Sequence, residues 1–92
     1  MNMYYTYVLL GRDLKNKKEY FYTGMTDNLK RRLYQHKTGN VKTTKKFGNT
    51  KLVYCEICLN KTDARKRELQ LKTGFGRGYL KRRLENYLKK RA

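Results

Sequence analysis

The spacing of apolar residues changes within the stretch EYFYTGMTDNLKRRLYQH, Glu19–His36. Its first six residues are rich in aromatic side chains, which is typical of a β-strand. Thr26 or Asp27 can then cap a helix, and Leu29 and Leu33 stand four residues apart, the spacing of one helical face. The stretch therefore predicts a strand that passes almost directly into a helix.

Two further strands are predicted. YYTYVLL, Tyr4–Leu10, is rich in aromatic and branched residues, and the polar turn GRDLKNKK connects it to the strand at Glu19 in an antiparallel hairpin. LVYCEICL, residues 52–59, is continuously apolar, which favours a central place in the sheet. The pattern leaves open whether this third strand pairs with the first or with the second.

Three helices complete the prediction. The first ends at Gly39 in a left-handed conformation, and a basic loop follows it. The second opens at Thr62 and ends at Gly74, and the third covers the remaining residues with one apolar stripe, formed by Leu80, Leu84, Tyr87 and Leu88. A chain of 92 residues holds one core. We therefore expect a single α/β (α+β) domain over residues 1–92, in which helices flank a three-stranded, mainly antiparallel sheet in the order β-β-α-β-α-α.

The charge of the chain indicates a polyanionic partner. Twenty-four Lys and Arg residues face seven Asp and Glu, a formal net charge of +17. Phosphate neutralisation makes nucleic acid the first candidate, ahead of an anionic membrane surface or a merely solvated basic surface. The cations expected to contact nucleic acid are Arg31, Lys42, Lys45, Lys46, Lys72 and Arg77.

Several classes of protein are not favoured by the sequence. No segment approaches the roughly 18 to 20 apolar residues of a membrane span. The start MNMYYTYVLLGRD lacks the features of a signal peptide, so we expect a cytoplasmic protein without membrane attachment. Cys55 and Cys58 form one C-x-x-C with neither a second pair nor enough histidines for zinc. Since positions three apart on a strand face opposite ways, both are interpreted as reduced packing cysteines.

Three polar residues lie where a core does not require them. Arg32 and His36 are four residues apart on one helical face beside Leu29, which suits either an exposed guanidinium on a packed stem or a functional pair. On a helical wheel, Glu68 lies about 40° from Ala64 and about 60° from Leu71, within an apolar arc that includes Leu69. Its partner is either a neighbouring cation, in a salt bridge, or a divalent metal ion.

In the order of its motifs, the chain resembles GIY-YIG nuclease domains, in particular the minimal stand-alone members. The matching features run from Tyr4 to Leu84: YTY at Tyr5–Tyr7, YTG at Tyr22–Gly24, an arginine eight residues after that glycine, a histidine four further on, and a glutamate in a later helix. The first motif lacks its usual Gly-Ile, so only Tyr7 is carried over. Asn86 does not match the family's later asparagine.

The resemblance implies a role for each matched residue. Glu68 would hold one divalent metal ion, Mg²⁺ or Mn²⁺, and Arg32 would contact the non-bridging phosphate oxygens. Tyr7 would act as general base or orient the water. A free phenol is a poor base at neutral pH, but nearby cations would favour its ionised form.

The remaining three matched residues would support this chemistry. Tyr22 would position the water or the phosphate, His36 would accept or relay a proton, and Gly24 would allow close backbone approach. Which of Tyr7, Tyr22 and His36 is the general base stays open. Aromatic sheet packing is the plain alternative for Tyr7 and Tyr22.

We therefore expect a metal-dependent endonuclease that cleaves DNA by shape rather than by base sequence, in repair or recombination. The alternative is a catalytically silent module that binds DNA or structured RNA. The presence of Tyr7, Tyr22, Arg32 and Glu68 together favours the enzyme, since a pure binder does not need them.

Overall fold

Three strands and four helices make up the fold in the computed structural model, which describes residues 2–91. The strands are β1 (Tyr4–Asp13), β2 (Glu19–Thr26) and β3 (Phe47–Cys58); the helices are α1 (Leu29–Lys37), α2 (Lys61–Leu71), α3 (Gly74–Arg83) and α4 (Glu85–Lys90). The predicted antiparallel three-stranded sheet with flanking helices, and the order of these elements, are confirmed. None of the helices among the described residues is long and apolar enough to cross a membrane.

The first strand is the central one. The sheet order is β2-β1-β3, with both pairings antiparallel. The prediction that the third strand is central was wrong, because its apolar run does not reflect burial on both faces. Leu52 and Ile57 on β3 are 42% and 58% exposed, whereas residues 6–9 of β1 are at most 1% exposed.

The α1 face of the sheet carries Tyr7 of the first predicted motif, and Tyr22 and Gly24 of the second. Tyr7 lies opposite Gly24, and Leu9 lies opposite Tyr22, across the β1–β2 ladder. Directly opposed residues project to the same side of a sheet, so all four share one face. Helix α1 covers this face through His36.

Helices α2 and α3 cover the other face. Thr6 donates a hydrogen bond from its hydroxyl to the Ala64 carbonyl of α2 at 3.0 Å. Val8 forms the buried core with Leu71 and Leu80. The central strand thus connects the two helical layers through alternating side chains, which fixes α1 and α2 on opposite sides of one hairpin.

A polar cluster fixes α2 against β3. Glu56 of β3 accepts two hydrogen bonds from Arg67 Nε, at 2.9 and 3.1 Å, and a third from Arg67 Nη2 at 2.9 Å. The Tyr54 hydroxyl donates to the same carboxylate at 2.7 Å. Bidentate pairs of this kind impose a specific geometry, so they fix the position of the residue next to Arg67, which is Glu68.

The ends of the first helix differ in part from the prediction. Asn28, rather than Thr26 or Asp27, is the N-cap, and its side chain accepts from the Arg31 amide at 3.0 Å. Thr26 instead accepts a hydrogen bond from the Asn28 amide at 3.1 Å. Gly39 follows the helix with a φ of 77°, as predicted.

Other boundaries also moved by a few residues. β3 begins at Phe47, inside the predicted basic loop, and Asn60 rather than Thr62 caps α2. The predicted last helix is divided at Leu84 into α3 and α4.

Both described cysteines are free thiols.

Candidate active site

The Tyr7 hydroxyl is the centre of a buried hydrogen-bond network. It lies 2.7 Å from His36 Nε2, and Arg32 Nε donates to it at 3.3 Å. An arginine can only donate, so the Tyr7 oxygen accepts from Arg32, and His36 Nε2 is the acceptor within reach of the Tyr7 proton. The structure thus brings three of the predicted catalytic residues into direct contact.

His36 is held from both ring nitrogens. Its Nδ1 lies 2.7 Å from Thr44 Oγ1, and the Thr44 hydroxyl donates to the Val41 carbonyl at 3.4 Å. If Nε2 accepts from the buried Tyr7 hydroxyl, the proton of a neutral His36 lies on Nδ1 and Thr44 Oγ1 accepts it. The network is therefore satisfied by neutral His36 with its proton on Nδ1.

Thr44 is the residue that sequence reasoning missed. It is 2% exposed and lies in the basic segment between α1 and β3. A threonine among lysines in a loop has no periodic signal. That Thr44 is buried while its neighbour Thr43 is exposed becomes evident only in three dimensions.

The site favours neutral forms of both Tyr7 and His36. Burial, with a contribution from the charge of Arg32, lowers the pKa of His36 to about 4. Burial also raises the pKa of Tyr7, and the Arg32 hydrogen bond opposes this only in part. The expectation that nearby cations favour phenolate is therefore outweighed by burial, and loss of the Tyr7 proton depends on its acceptor.

The His36 shift predicts a stability loss in mild acid. Between pH 6.5 and 4, His36 is protonated in the unfolded chain, where its pKa is 6.5, but stays neutral in the folded protein, where its pKa is about 4. The contribution of His36 to the free energy of unfolding is therefore present above pH 6.5 and is lost as the pH falls towards 4. Between pH 7 and 5.5 the free energy of unfolding should fall by about 1 kcal/mol from this group. Urea unfolding measures it; His36→Gln should remove this decline, and an equal decline in that variant contradicts the assignment.

Tyr22 completes the aromatic surroundings of His36. Its ring centroid lies 5.2 Å from that of His36, and the Tyr7 ring lies 5.6 Å away, both edge to face. These contacts fix the plane of the imidazole. Tyr22 is half-buried, so it can also contact a bound molecule.

Gly24 is required by the position of Tyr7. A Cβ at residue 24 would lie 2.5 Å from Tyr7 Cζ and would also meet the hydroxyl oxygen. Only a residue without a side chain leaves space for the phenol across the strand pair.

Gly24→Ala should displace the Tyr7 ring and lower the free energy of unfolding by about 1–3 kcal/mol. Gly78→Ala is the matched control. Its added methyl group meets only the Arg82 side chain, at 3.3 Å, and replaces a glycine within α3. Urea unfolding should show a loss for the first variant and none for the second. An unaffected Gly24→Ala would mean that the phenol is not confined as described.

Glu68 is a buried carboxylate with two cationic partners. It is 6% exposed. Arg65 Nη1 contacts one oxygen at 2.6 Å, and Lys72 Nζ contacts the other at 3.0 Å. The expected salt bridge is thus present, whereas Leu69, expected in the same apolar arc, is 50% exposed.

The same carboxylate suits a divalent metal ion. Mg²⁺ is commonly held by one or two carboxylates and completes its shell with water and substrate phosphate. The side chains of Arg65 and Lys72 are 55% and 47% exposed, so both can turn into solvent. Among the described residues no group of three or more His, Cys, Asp or Glu side chains is placed to share an ion. Glu68 would therefore hold the ion with fewer than two further side chains of these types.

A groove leads from Arg32 towards Glu68. A cavity of about 440 Å³ is lined by Arg31, Arg32 and Gln35, and one of about 480 Å³ is lined by Arg65, Lys66 and Glu68. Met25 and Lys61 line both cavities. The Glu68 charge also contributes, as the smallest cause, to the raised pKa of Tyr7. The two cavities are therefore neighbours that share Met25 and Lys61, although α1 and α2 lie on opposite faces of the sheet.

The six predicted nucleic-acid-binding cations are distributed over several surfaces. Arg31 lines the groove and pairs with Asp27 at 3.9 Å. Lys42 and Lys45 are exposed on the loop around Thr44, and Lys46 lies over the rings of Tyr20 and Phe47. Lys72 is a partner of Glu68. Arg77 lines a separate cavity bordered by Leu10 and Leu88.

Comparison with known proteins identifies the family of the chain. The family model of the GIY-YIG catalytic domain matches residues 3–83. A UPF0213 protein from Clostridium perfringens is 42% identical over 71 residues, which cover 76% of this chain and 71% of that protein. A UPF0213 protein from Oceanobacillus iheyensis is 36% identical over 70 residues, covering 75% and 76%. No solved structure matches the chain significantly. The chain therefore belongs to the GIY-YIG catalytic domain family, whose function is of the nuclease type.

Proposed function

We propose that this protein is a divalent-metal-dependent endonuclease that hydrolyses phosphodiester bonds in DNA. The observation that carries the proposal is the Tyr7 hydroxyl, hydrogen-bonded between Arg32 and His36 beside a groove that leads to a buried carboxylate. A packing tyrosine does not need two such partners. DNA shape is the proposed determinant of cleavage, which suits repair or recombination.

The network gives Tyr7 a route for its proton. With Tyr7 donating to His36 Nε2, its proton would pass along this 2.7 Å contact as the Tyr7 oxygen, gaining phenolate character, takes a proton from the attacking water. Arg32 stabilises that phenolate through Nε; its Nη1 donates to Gln35 Oε1 at 3.1 Å, and the remaining guanidinium N–H groups would contact phosphate oxygens. In this scheme Tyr7 acts on the water and His36 stores the proton.

The other residues serve binding and charge stabilisation. Tyr22, edge-on to His36, orients the water or the phosphate. Glu68 would hold the metal ion, which when bound supplies positive charge at the leaving oxygen. The carboxylate lies on a helix fixed by the Glu56–Arg67 pair, so its position is set before substrate arrives.

The groove would be the path of the cleaved strand. Lys61 is shared by both cavities, is exposed, and makes no salt bridge among the described residues. Nearby Asn60 already occupies the first free amides of α2. The side chain of Lys61 is therefore the contact through which this part of the groove would bind phosphate.

Lys61→Ala should weaken DNA binding and reduce the slope of log affinity against log salt by about one unit, the share of one phosphate contact. Lys15→Ala, in the exposed β1–β2 turn, removes the same charge outside the groove and should leave the slope unchanged. Fluorescence anisotropy at about 50 to 200 mM salt measures both slopes. Equal slopes would remove Lys61 from the strand path.

Cleavage of a substrate panel tests the enzyme itself. Purified protein with Mg²⁺ or Mn²⁺ should nick duplex, branched or single-stranded DNA, with preference for one shape. If it binds DNA with a steep salt dependence but cuts none of these, the silent binding module for DNA or structured RNA is the correct reading. A flat salt response would argue against nucleic acid altogether.

A further inference from the structure

We propose that Thr44 is a positioning residue that holds His36 in the Nδ1-protonated tautomer, so that Nε2 remains free to accept the Tyr7 proton. The catalytic consequence rests on the proposed function, whereas the tautomer itself does not. The inference concerns a residue of the loop between α1 and β3 that no tyrosine, arginine or glutamate motif includes.

The direction of every hydrogen bond in this network follows from its Tyr7 end. Arg32 can only donate, and His36 Nε2 is the one acceptor that the described contacts offer the buried Tyr7 hydroxyl, so the Tyr7 proton points to Nε2. At the other end, Thr44 Oγ1 then accepts from His36, and its own proton turns to the Val41 carbonyl at 3.4 Å. Between these ends, the proton of a neutral His36 has one place, on Nδ1, facing Thr44 Oγ1 at 2.7 Å.

Burial leaves the Thr44 hydroxyl as the acceptor for the Nδ1 proton of His36. His36 is 6% exposed and Thr44 is 2% exposed. No buried side-chain nitrogen or oxygen of the described residues lacks a hydrogen-bond partner. Without the Thr44 hydroxyl, an Nδ1–H would be buried with no acceptor, which costs about 1–3 kcal/mol. Moving the proton to Nε2 removes that cost at Nδ1 and leaves the Tyr7 hydroxyl in need of a new acceptor, and a hydroxyl proton, unlike an imidazole N–H, can rotate towards one.

That move would block the proposed proton transfer. A proton on Nε2 would point at the Tyr7 oxygen, which would then accept from His36 instead of donating to it. Tyr7 could no longer transfer its proton to the imidazole, although every catalytic side chain would still be present. The loss would therefore appear in turnover and not in DNA binding.

Thr44→Val is the decisive variant, because valine keeps the shape of threonine and removes the hydroxyl. Thr44→Ser restores a hydroxyl, and Thr43→Val makes the same change at an exposed neighbour. His36 is the only histidine of the chain, so ¹⁵N-labelled histidine gives a single imidazole spectrum in untagged protein. Two-bond ¹⁵N–¹H correlations at pH 7 identify which ring nitrogen carries the proton.

The wild type, Thr44→Ser and Thr43→Val should show the proton on Nδ1, and Thr44→Val should show it on Nε2. A wild-type proton on Nε2, or an unchanged tautomer in a folded Thr44→Val, would overturn the proposal. If Thr44→Val does not fold, the wild-type spectrum and that of Thr44→Ser still decide it.

Cleavage kinetics then separate the tautomer from the nuclease. Thr44→Val should lower kcat about 10- to 100-fold, the range seen when the partner behind a ligating histidine is removed. KM should change little, and Thr44→Ser should restore most of the rate. Wild-type protein that cuts no DNA would contradict the proposed function and leave the tautomer result standing. A shifted tautomer with unchanged kcat would overturn the positioning role.

Discussion

Tyr7→Phe should reduce DNA cleavage by about 10²- to 10⁴-fold, the usual contribution of a positioned acid or base. The substitution removes one oxygen and leaves the ring that packs over Gly24. Without the Tyr7 hydroxyl, the attacking water has no group through which its proton can pass to His36. Because Tyr7 is 0% exposed, DNA binding should stay within about twofold, since a buried group adds few phosphate contacts.

Tyr5→Phe is the matched control for this experiment. Tyr5 lies two residues earlier on β1, so its side chain projects to the same face, and it is half-buried opposite Thr26. No hydrogen bond of its hydroxyl connects it to His36 or Arg32 among the described residues. Near-normal cleavage is expected. If Tyr5→Phe were inactive and Tyr7→Phe active, the first motif would have to be assigned to Tyr5.

The stability of Tyr7→Phe provides a second measurement. Removal of the hydroxyl leaves His36 Nε2 without its donor in a buried site, so the free energy of unfolding should fall by about 1–3 kcal/mol. Tyr5→Phe should change it by less than about 0.5 kcal/mol, as a substitution away from such a network does. Urea unfolding distinguishes the two. An equal effect of both variants would contradict the buried network.

Local patterns predicted the elements, and the position of Glu68 among them. The three strands follow from aromatic and branched runs, and helical geometry placed Glu68 beside Ala64 and Leu71 from spacing alone. Its ion-pair partners Arg65 and Lys72 are three and four residues away, so they too belong to local geometry. Predictions of this kind succeed because they depend on one element at a time.

Contacts between distant elements were less predictable from the residues. β1 is central because strands pair on both its edges, which the composition of β3 does not reveal. The Tyr7–His36 contact joins residues 29 apart in sequence, and family resemblance rather than periodicity indicated it. The path of residues 38–46 brings Thr44 into contact with His36. Neither periodicity nor the resemblance pointed to this contact.

Glu68→Gln should abolish metal-dependent cleavage, with a loss of at least about a thousandfold, since a bound divalent ion contributes several kcal/mol to such a reaction. Glutamine keeps the size of glutamate and one acceptor oxygen, so helix α2 should stay in place. Arg65 and Lys72 lose a charge partner but are half-exposed, and the free energy of unfolding should change by at most about 1 kcal/mol. DNA binding should be equal or slightly tighter, because one negative charge leaves the groove.

Glu85→Gln is the control with the same chemical change. Glu85 lies on α4, where its 55% exposed side chain pairs with Lys89 at 3.4 Å, and it does not line the groove. Cleavage rates with Mg²⁺ and Mn²⁺, and Mn²⁺ binding followed by electron paramagnetic resonance, measure both variants. The expected pattern is that Glu85→Gln binds Mn²⁺ and cleaves as the wild type does, whereas Glu68→Gln does neither.

Two outcomes separate the possible roles of Glu68. If Glu68→Gln loses cleavage and still binds Mn²⁺ as the wild type does, the metal ligand lies elsewhere, and Glu68 acts only by placing Arg65 and Lys72. If it cleaves normally, the salt bridge is its whole function. Loss of both metal binding and cleavage, with DNA binding and fold retained, would assign the metal ion to Glu68, with Arg65 and Lys72 as the partners of the carboxylate when no ion is bound.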